Sequence, residues 1–268
     1  MYLDPEAGGG DLFSQPSAKG GDGEPIPNLS DAAADYLDDV GGNVETLFYH
    51  TLATLHAPTY RQENEGALRD DWPRVPLPDD GARLRESAVL GRTVAALLDV
   101  EQPVDGVDDG TTRDDLRLLG RPEHVDPDAA LNPNTDFAVT AGWGYVIPPS
   151  TVMPNNGEID RRAYTPEEAA ALPENGRARW GDETLDLYLN DNARWANVPA
   201  RVWDYTLGGY PVVKKWLSYR EKDVLGRDLK WEEVDHVANM VRRIAALLLL
   251  EPRLDANYEA VKAATPDD

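Results

Sequence analysis

The 268-residue chain has no cysteine, which excludes a disulfide framework and any Cys-based zinc site. It also has no long apolar run. The longest, Ile244 to Leu250, falls far short of the about 20 residues that a membrane-spanning helix needs. The start, MYLDPEAGGG, has neither the basic beginning nor the apolar middle of a signal peptide. These absences predict a soluble, intracellular, cytoplasmic protein with no membrane partner. Lysine is scarce as well. Only 6 of the 26 basic residues are Lys, and none lies between Gly20 and Val213.

Acidic residues, by contrast, are in surplus, and the formal net charge is −23. Lys and Arg neutralise phosphates in nucleic-acid complexes, so the bulk charge weighs against such a partner. Two readings fit. The charge is a habit of a proteome in a salty solvent, where it keeps the chain soluble and only local distribution reports function. Alternatively, the chain avoids nucleic acid.

Residues 1–42 are rich in Gly, Asp and Pro and lack apolar periodicity, which predicts a flexible acidic leader. Residues 43–268 are read as a single domain, with 41% hydrophobic residues along the chain to build a core. NVETLFYHTLATLHAP places Val44, Leu47, Phe48, Leu52 and Leu55 at helix spacing, with Asn43 as N-cap and Pro58 as stop. A second helix is expected from Ala82 to Leu98, after the turn PRVPLPDD. From Val100 to Trp195 the pattern weakens. AVTAGWGYVIPP and LDLYLN (Leu185 to Asn190) read as short strands between turns. YTPEEAAAL reads as a helix start, with Thr165 as cap, Pro166 first and Glu168 closing a capping box. The last third returns to helix, with one apolar stripe from Leu229 to Leu250. The expected class is α+β, with helical blocks at both ends around an irregular β-rich middle.

No catalytic constellation stands out. There is no Walker A loop and no G-x-S-x-G elbow. GWGYV at Gly142 lacks the third Gly of a dinucleotide fingerprint. The four His, at 50, 56, 124 and 236, lack metal-ligand spacing and read as ordinary helix or core His. Asp and Glu pairs are too common to carry information. Glu221 beside Lys222 comes nearest to a nuclease pair and reads as a chance match. No catalytic residue, cofactor or metal is expected.

What remains is WDYTLGGYPVVKKWLSYREK, Trp203 to Lys222. Taken as a helix from Val212 to Lys222, it places Val212, Val213, Trp216 and Tyr219 on one side. Lys214, Lys215, Ser218 and Lys222 fall on the other, and Arg220 on the aromatic side. From Arg201 to Lys230 there are seven basic and four acidic residues. The bland reading is a solvated face above an aromatic core. The functional one is a polyanion contact through Lys214, Lys215, Lys222, Arg220, Arg227 and Lys230, with phosphates held by charge. Trp203, Tyr205, Tyr210 and Trp216 read as core. Gly208 and Gly209 permit a tight turn or a close backbone approach to a ligand.

The stretch NDNARWANVPARVWDYTLGGYPVVKKWLSYR, Asn190 to Arg220, resembles the C-terminal specificity region of type ISP restriction-modification enzymes. The carriers are Asn190, Trp195, then V-P-x-x-V-W-x-Y, G-G-Y and K-W-L-x-x-R. Upstream, LFYHTLATLHAPTYR (Leu47 to Arg61), DDWPRVPLP (Asp70 to Pro78) and PNLS at Pro27 are similar to the same family, as is MVRRIAALLLLEP downstream. The likeness runs from 27 to 261 with a gap in the middle. The resemblance implies a domain that recognises a double-stranded DNA target for adenine methyltransferase and helicase-like translocase modules. No N-P-P-Y methyltransferase motif is present, and Asn132-Pro133-Asn134 does not serve as one; the chain is therefore not expected to be an enzyme. On this reading base contacts come from loops within Ala138 to Tyr188. The alternatives are a protein-interaction module that docks a methyltransferase, and a non-functional remnant of a truncated gene.

Overall fold

The computed structural model describes residues 2–3 and 26–264. The chain forms two compact units, Met1–Ala96 with Glu251–Asp268, and Leu97–Leu250. The expected leader falls for the most part on residues outside those described. Its last part is ordered: α1 spans Asp31–Val40, with Leu37 buried. The Ser30 hydroxyl caps its start by accepting from the Ala33 N–H, and Gly41 ends it in the left-handed region.

The first unit is mostly helical. Its short strands β1 (Tyr2–Leu3) and β2 (Ile26–Pro27) pair antiparallel. α2 (Val44–His56) begins with the predicted Asn43 cap, and Thr46 returns the bond in a reciprocal box. Pro58 ends α2 as expected, but it also opens α3 (Pro58–Glu63) at a position where a missing N–H costs nothing. Then come α4 (Glu65–Asp70) and α5 (Gly81–Leu98). A Cβ on Gly91 would lie 1.8 Å from the Tyr49 carbonyl oxygen. The α2 and α5 backbones can approach this closely only at a glycine.

The Pro-rich stretch between α4 and α5 has few N–H groups with which to pair. Side chains satisfy its carbonyls instead. Tyr60 donates to Arg74 O, His50 to Pro76 O and Tyr36 to Pro78 O. The three acceptors alternate, as an extended backbone requires. His50 is fully buried. Its Nε2 carries the proton given to Pro76 O, so Nδ1 accepts from Ser87 Oγ at 2.7 Å. Ser87 in turn accepts from Asn257. Asp255 caps α3 by accepting from Thr59 N at 2.8 Å.

The second unit is built on a four-stranded antiparallel sheet of order β3–β8–β7–β6. After α6 (Asp114–Arg117), the sheet's first strand is β3 (Arg121–His124). Next come a separate hairpin of β4 (Gly144–Ile147) and β5 (Thr151–Pro154), then β6 (Ile159–Ala163). α7 (Pro166–Ala171) starts with the predicted Thr165–Glu168 box. α8 (Gly176–Trp180) leads to β7 (Glu183–Tyr188) and β8 (Ala193–Pro199). α9 (Ala200–Trp203), a two-residue-strand hairpin of β9 (Thr206–Leu207) and β10 (Tyr210–Pro211), α10 (Val212–Ser218) and α11 (Lys222–Leu225) follow. The last helix, α12, spans Trp231–Ala264 and runs past Pro252 into the first unit's share of the chain. It continues 14 residues beyond the predicted end at Leu250, because Leu254, Tyr258 and Val261 carry on the buried stripe.

Two buried indoles tie this unit to α12. Trp195 of β8 donates to Val234 O at 2.9 Å, and Trp180 to Ala245 O at 3.0 Å. Asp186 is buried where the register of β7 against β8 shifts. It accepts from Arg162 and from Asn197 N, and lies 3.4 Å from Arg194. Buried charge paired in this way is satisfied rather than stranded. The architecture is α+β, as expected. Strands β3 (RPEH) and β6 (IDRRA) were not expected, because neither alternates apolar with polar residues.

Burial holds His50 below its ordinary pKa and brings His56 down to about 4. Both are bases whose folded value lies under the unfolded one, so below about pH 6.5 the unfolded chain binds more protons. Stability from these sites is therefore complete above that pH and is lost as pH falls towards 4. Protection factors of the α2 and α5 amides, taken relative to the intrinsic exchange rate at each pH, should fall across this window, and His56→Gln should reduce the fall.

Candidate nucleic-acid interface

The expected single helix from Val212 to Lys222 is broken. α10 stops at Ser218, with Tyr219 as its cap, and α11 starts afresh at Lys222. The break has a cause. Glu221 turns inward, is nearly buried, and accepts from Trp143 N at 2.8 Å and Gly142 N at 3.3 Å. Burial pushes its carboxyl up, and the Trp143 and Gly142 N–H groups pull it back. Beside it, Lys222 N donates to Val139 O at 2.7 Å and Leu229 N to Phe137 O at 2.9 Å. Glu221 is thus a structural anchor for the chain around Gly142.

Trp143 completes the anchor. It is fully buried, donates to Tyr188 O at 2.8 Å and meets Trp203 edge-on at 5.6 Å. Its neighbouring glycines are steric necessities. A Cβ on Gly144 would sit 2.2 Å from Ser218 O, and one on Gly157 would sit 2.2 Å from the Trp143 ring. Gly144 therefore lets β4 run against α10. The pattern G-W-G, too short of glycine for a dinucleotide motif, is a packing motif.

The predicted basic residues separate into two groups. Lys222 pairs with Asp228 at 2.8 Å. Arg227 forks onto Glu233 at 2.6 and 2.9 Å. Arg220 stacks over the Trp216 ring at 4.6 Å and reaches within 3.9 Å of the same Glu233. The Arg227 bonds bring the Glu233 carboxyl down to about 2. Lys230 has an exposed side chain, and its backbone N–H also caps onto Glu233. Lys214 and Lys215, on α10, have no carboxylate partner among the described residues. Lys214 Nζ is 3.4 Å from Asn156 Oδ1, and Lys215 Nζ lies over the Tyr219 and Tyr210 rings at 4.9 and 5.6 Å.

The predicted ridge of Lys214, Lys215, Ser218 and Lys222 is therefore not formed. Ser218 is fully buried, and Lys222 belongs to the next helix. Of the aromatics read as core, Trp203, Tyr205 and Trp216 are half-buried. Tyr210 is 64% exposed, on the hairpin that Gly208 and Gly209 turn. Both glycines have positive φ, as a two-residue type I′ turn demands.

α10 has the β4–β5 hairpin on one side and the β9–β10 hairpin next to it in sequence. Tyr145, Val146, Ile147 and Met153 of the first, and Leu207 and Tyr210 of the second, are exposed. The two segments that build this face, residues 137–157 and 205–220, contain no Asp or Glu. In a chain with 49 acidic residues, that gap is the signal that a reading of basic residues alone misses. A polar cleft of about 420 Å³ opens nearby, lined by Thr135, Thr140, Glu158, Asn190 and Asn192 among others. Asn190 is structural there: it donates to Asp136 O and Ala138 O and accepts from Asn192 N and Ala193 N.

The class is that of a mixed α+β domain whose candidate surface is one short helix between two hairpins. Residues 1–247 match the Type ISP C-terminal specificity domain family, and the chain belongs to that family. It is a family of recognition domains. No curated protein matches the chain. Among solved structures it is similar to a nuclease-deletion mutant of the Type ISP restriction-modification enzyme LlaGI in complex with a DNA substrate mimic. That similarity has a TM-score of 0.40 and 15% identity, over 81% of this chain and 16% of that one. It is also similar to a DrdV–DNA complex solved by cryo-electron microscopy, with a TM-score of 0.42 and 18% identity, over 87% of this chain and 20% of that one. The chain thus spans a fifth or less of the proteins it resembles. Among the described residues no helix is long and apolar enough to cross a membrane.

Glu221→Ala should leave the Gly142 and Trp143 N–H groups without their acceptor, at a cost of about 1–3 kcal/mol for each buried unsatisfied donor. Chemical denaturation should show the loss, and proteolysis should open the chain first near Gly142.

Proposed function

We propose that this chain reads a double-stranded DNA target for separate methyltransferase and translocase modules of a Type ISP-like restriction-modification system, in the cytoplasm. Residues 43–268 act as a single specificity-type domain. The observation that carries this reading is that the two segments building the surface around α10, residues 137–157 and 205–220, hold no Asp or Glu of their own. On a chain of net charge −23, phosphates are repelled almost everywhere. They meet less repulsion at segments that carry no carboxylate of their own, and where Lys214 and Lys215 have no carboxylate partner among the described residues.

Lys214 and Lys215 are the phosphate contacts. Arg220, Lys222, Arg227 and Lys230 support them from the neighbouring turns, three of them with side chains already balanced by Asp228 or Glu233. The hairpins beside α10 supply base contacts, since phosphate contacts position a reader and base edges specify it. A second reading, a docking module for a methyltransferase, is favoured by the exposed Tyr145, Val146, Ile147 and Met153 of the β4–β5 hairpin.

Lys214→Glu with Lys215→Glu should weaken binding to all DNA sequences alike. In a salt titration on genomic fragments, the slope of log affinity against log salt should shrink by about 0.9 for each phosphate no longer neutralised. An unchanged slope would remove α10 from the phosphate-binding surface. Binding of a methyltransferase that persists while no DNA is bound would favour the docking module.

A further inference from the structure

The β9–β10 hairpin carries a feature that phosphate binding leaves unused. Leu207 and Tyr210 oppose each other across its ladder. Directly opposed residues of an antiparallel pair project from the same face, with Cβ atoms about 5 Å apart. Both side chains are exposed, 49% for Leu207 and 64% for Tyr210. Between them lie only Gly208 and Gly209, and a Cβ on either would meet nothing within 4 Å. The tip is a narrow blade, a bare turn with one aliphatic and one aromatic group side by side.

The aromatic ring is steadied without being buried. Lys215 Nζ sits between Tyr210 and Tyr219, 5.6 and 4.9 Å from their ring centres, an attraction of the cation–π kind. The same ammonium has no carboxylate partner among the described residues, and residues 205–220 contain no Asp or Glu. The blade's base is fixed as well, since α10 buries Val213 and Leu217 and ends at the Glu221 anchor.

Leu207 offers no hydrogen bond to a phosphate. Two side chains also cover only a small part of the about 800 Å² per partner that a stable protein interface buries. Their chemistry suits a base step. Apolar wedges enter partly unstacked steps, and aromatic rings stack on exposed bases of any sequence. We infer that Leu207 and Tyr210 form a wedge that packs against an unstacked base step of the bound duplex, with Lys215 placing its charge at the adjoining phosphate. This inference rests on the DNA reading proposed above.

The test uses the full chain and two labelled probes: a fully paired duplex, and the same duplex with one central abasic site, where stacking is already interrupted. The wedge predicts about tenfold tighter binding to the abasic duplex, the scale of one base–aromatic stack. Leu207→Ala with Tyr210→Ala should abolish that preference, with an unchanged melting temperature and an unchanged salt slope on the paired duplex. Lys214→Glu with Lys215→Glu should weaken both probes and flatten the slope. Equal binding of both probes by the unaltered chain would overturn the wedge and leave the DNA reading standing. So would a preference that survives in the Leu207, Tyr210 double variant. No binding of either probe at any salt would overturn the DNA reading, and the wedge with it.

Discussion

The second unit depends on one carboxylate turned inward. Glu221 accepts the backbone N–H groups of Gly142 and Trp143. This ends the helix that local periodicity would extend, and fixes α10 against β4. Buried ionisable groups are tolerated only where hydrogen bonds replace water. Here the replacement comes from peptide groups 78 and 79 residues away in sequence. The bond therefore ties the residue just past the second acid-free segment, Glu221, to Gly142 and Trp143 of the first. Trp143 fills the space between the two segments, and Gly144 and Gly157 make that space available.

Charge is organised around the same anchor. Glu233 gathers Arg220, Arg227 and the Lys230 N–H, and Asp228 holds Lys222. Much of the basic island is thereby internally balanced, as is common for exposed ion pairs, whose net contribution to stability is small. Lys214 and Lys215 stand apart because their neighbours are Asn156, Tyr210 and Tyr219 rather than carboxylates. In the proposed account, function follows from where acid is missing rather than from where base is plentiful.

Local signals were legible in the sequence where local chemistry decides. The Asn43 and Thr165 caps, the start of α2, the core of α5 and the α+β class all follow from capping and periodicity. The family was legible because its motifs meet physical needs. Tyr60 and the Pro-rich turn, for instance, are joined by the Tyr60 hydroxyl to Arg74 O. What could not be read was tertiary. Helix periodicity gives Lys214 and Lys222 one face, and only the distant Gly142 and Trp143 amides explain why Glu221 breaks that helix. Tyr210 reads as core because aromatics usually are, yet the I′ turn at Gly208 and Gly209 lifts it into solvent. Strand β6 was invisible because its Arg162 pairs with Asp186 and Glu168, a match that no alternation pattern records.

The central claim is that DNA lies against the face that Glu221 and Trp143 assemble. Amide hydrogen exchange of the chain, free and bound to genomic DNA fragments, tests it most directly. The account predicts slowed exchange concentrated in residues 144–157 and 205–220, with the first unit unchanged. Protection confined to the first unit, or none on bound DNA, would contradict it.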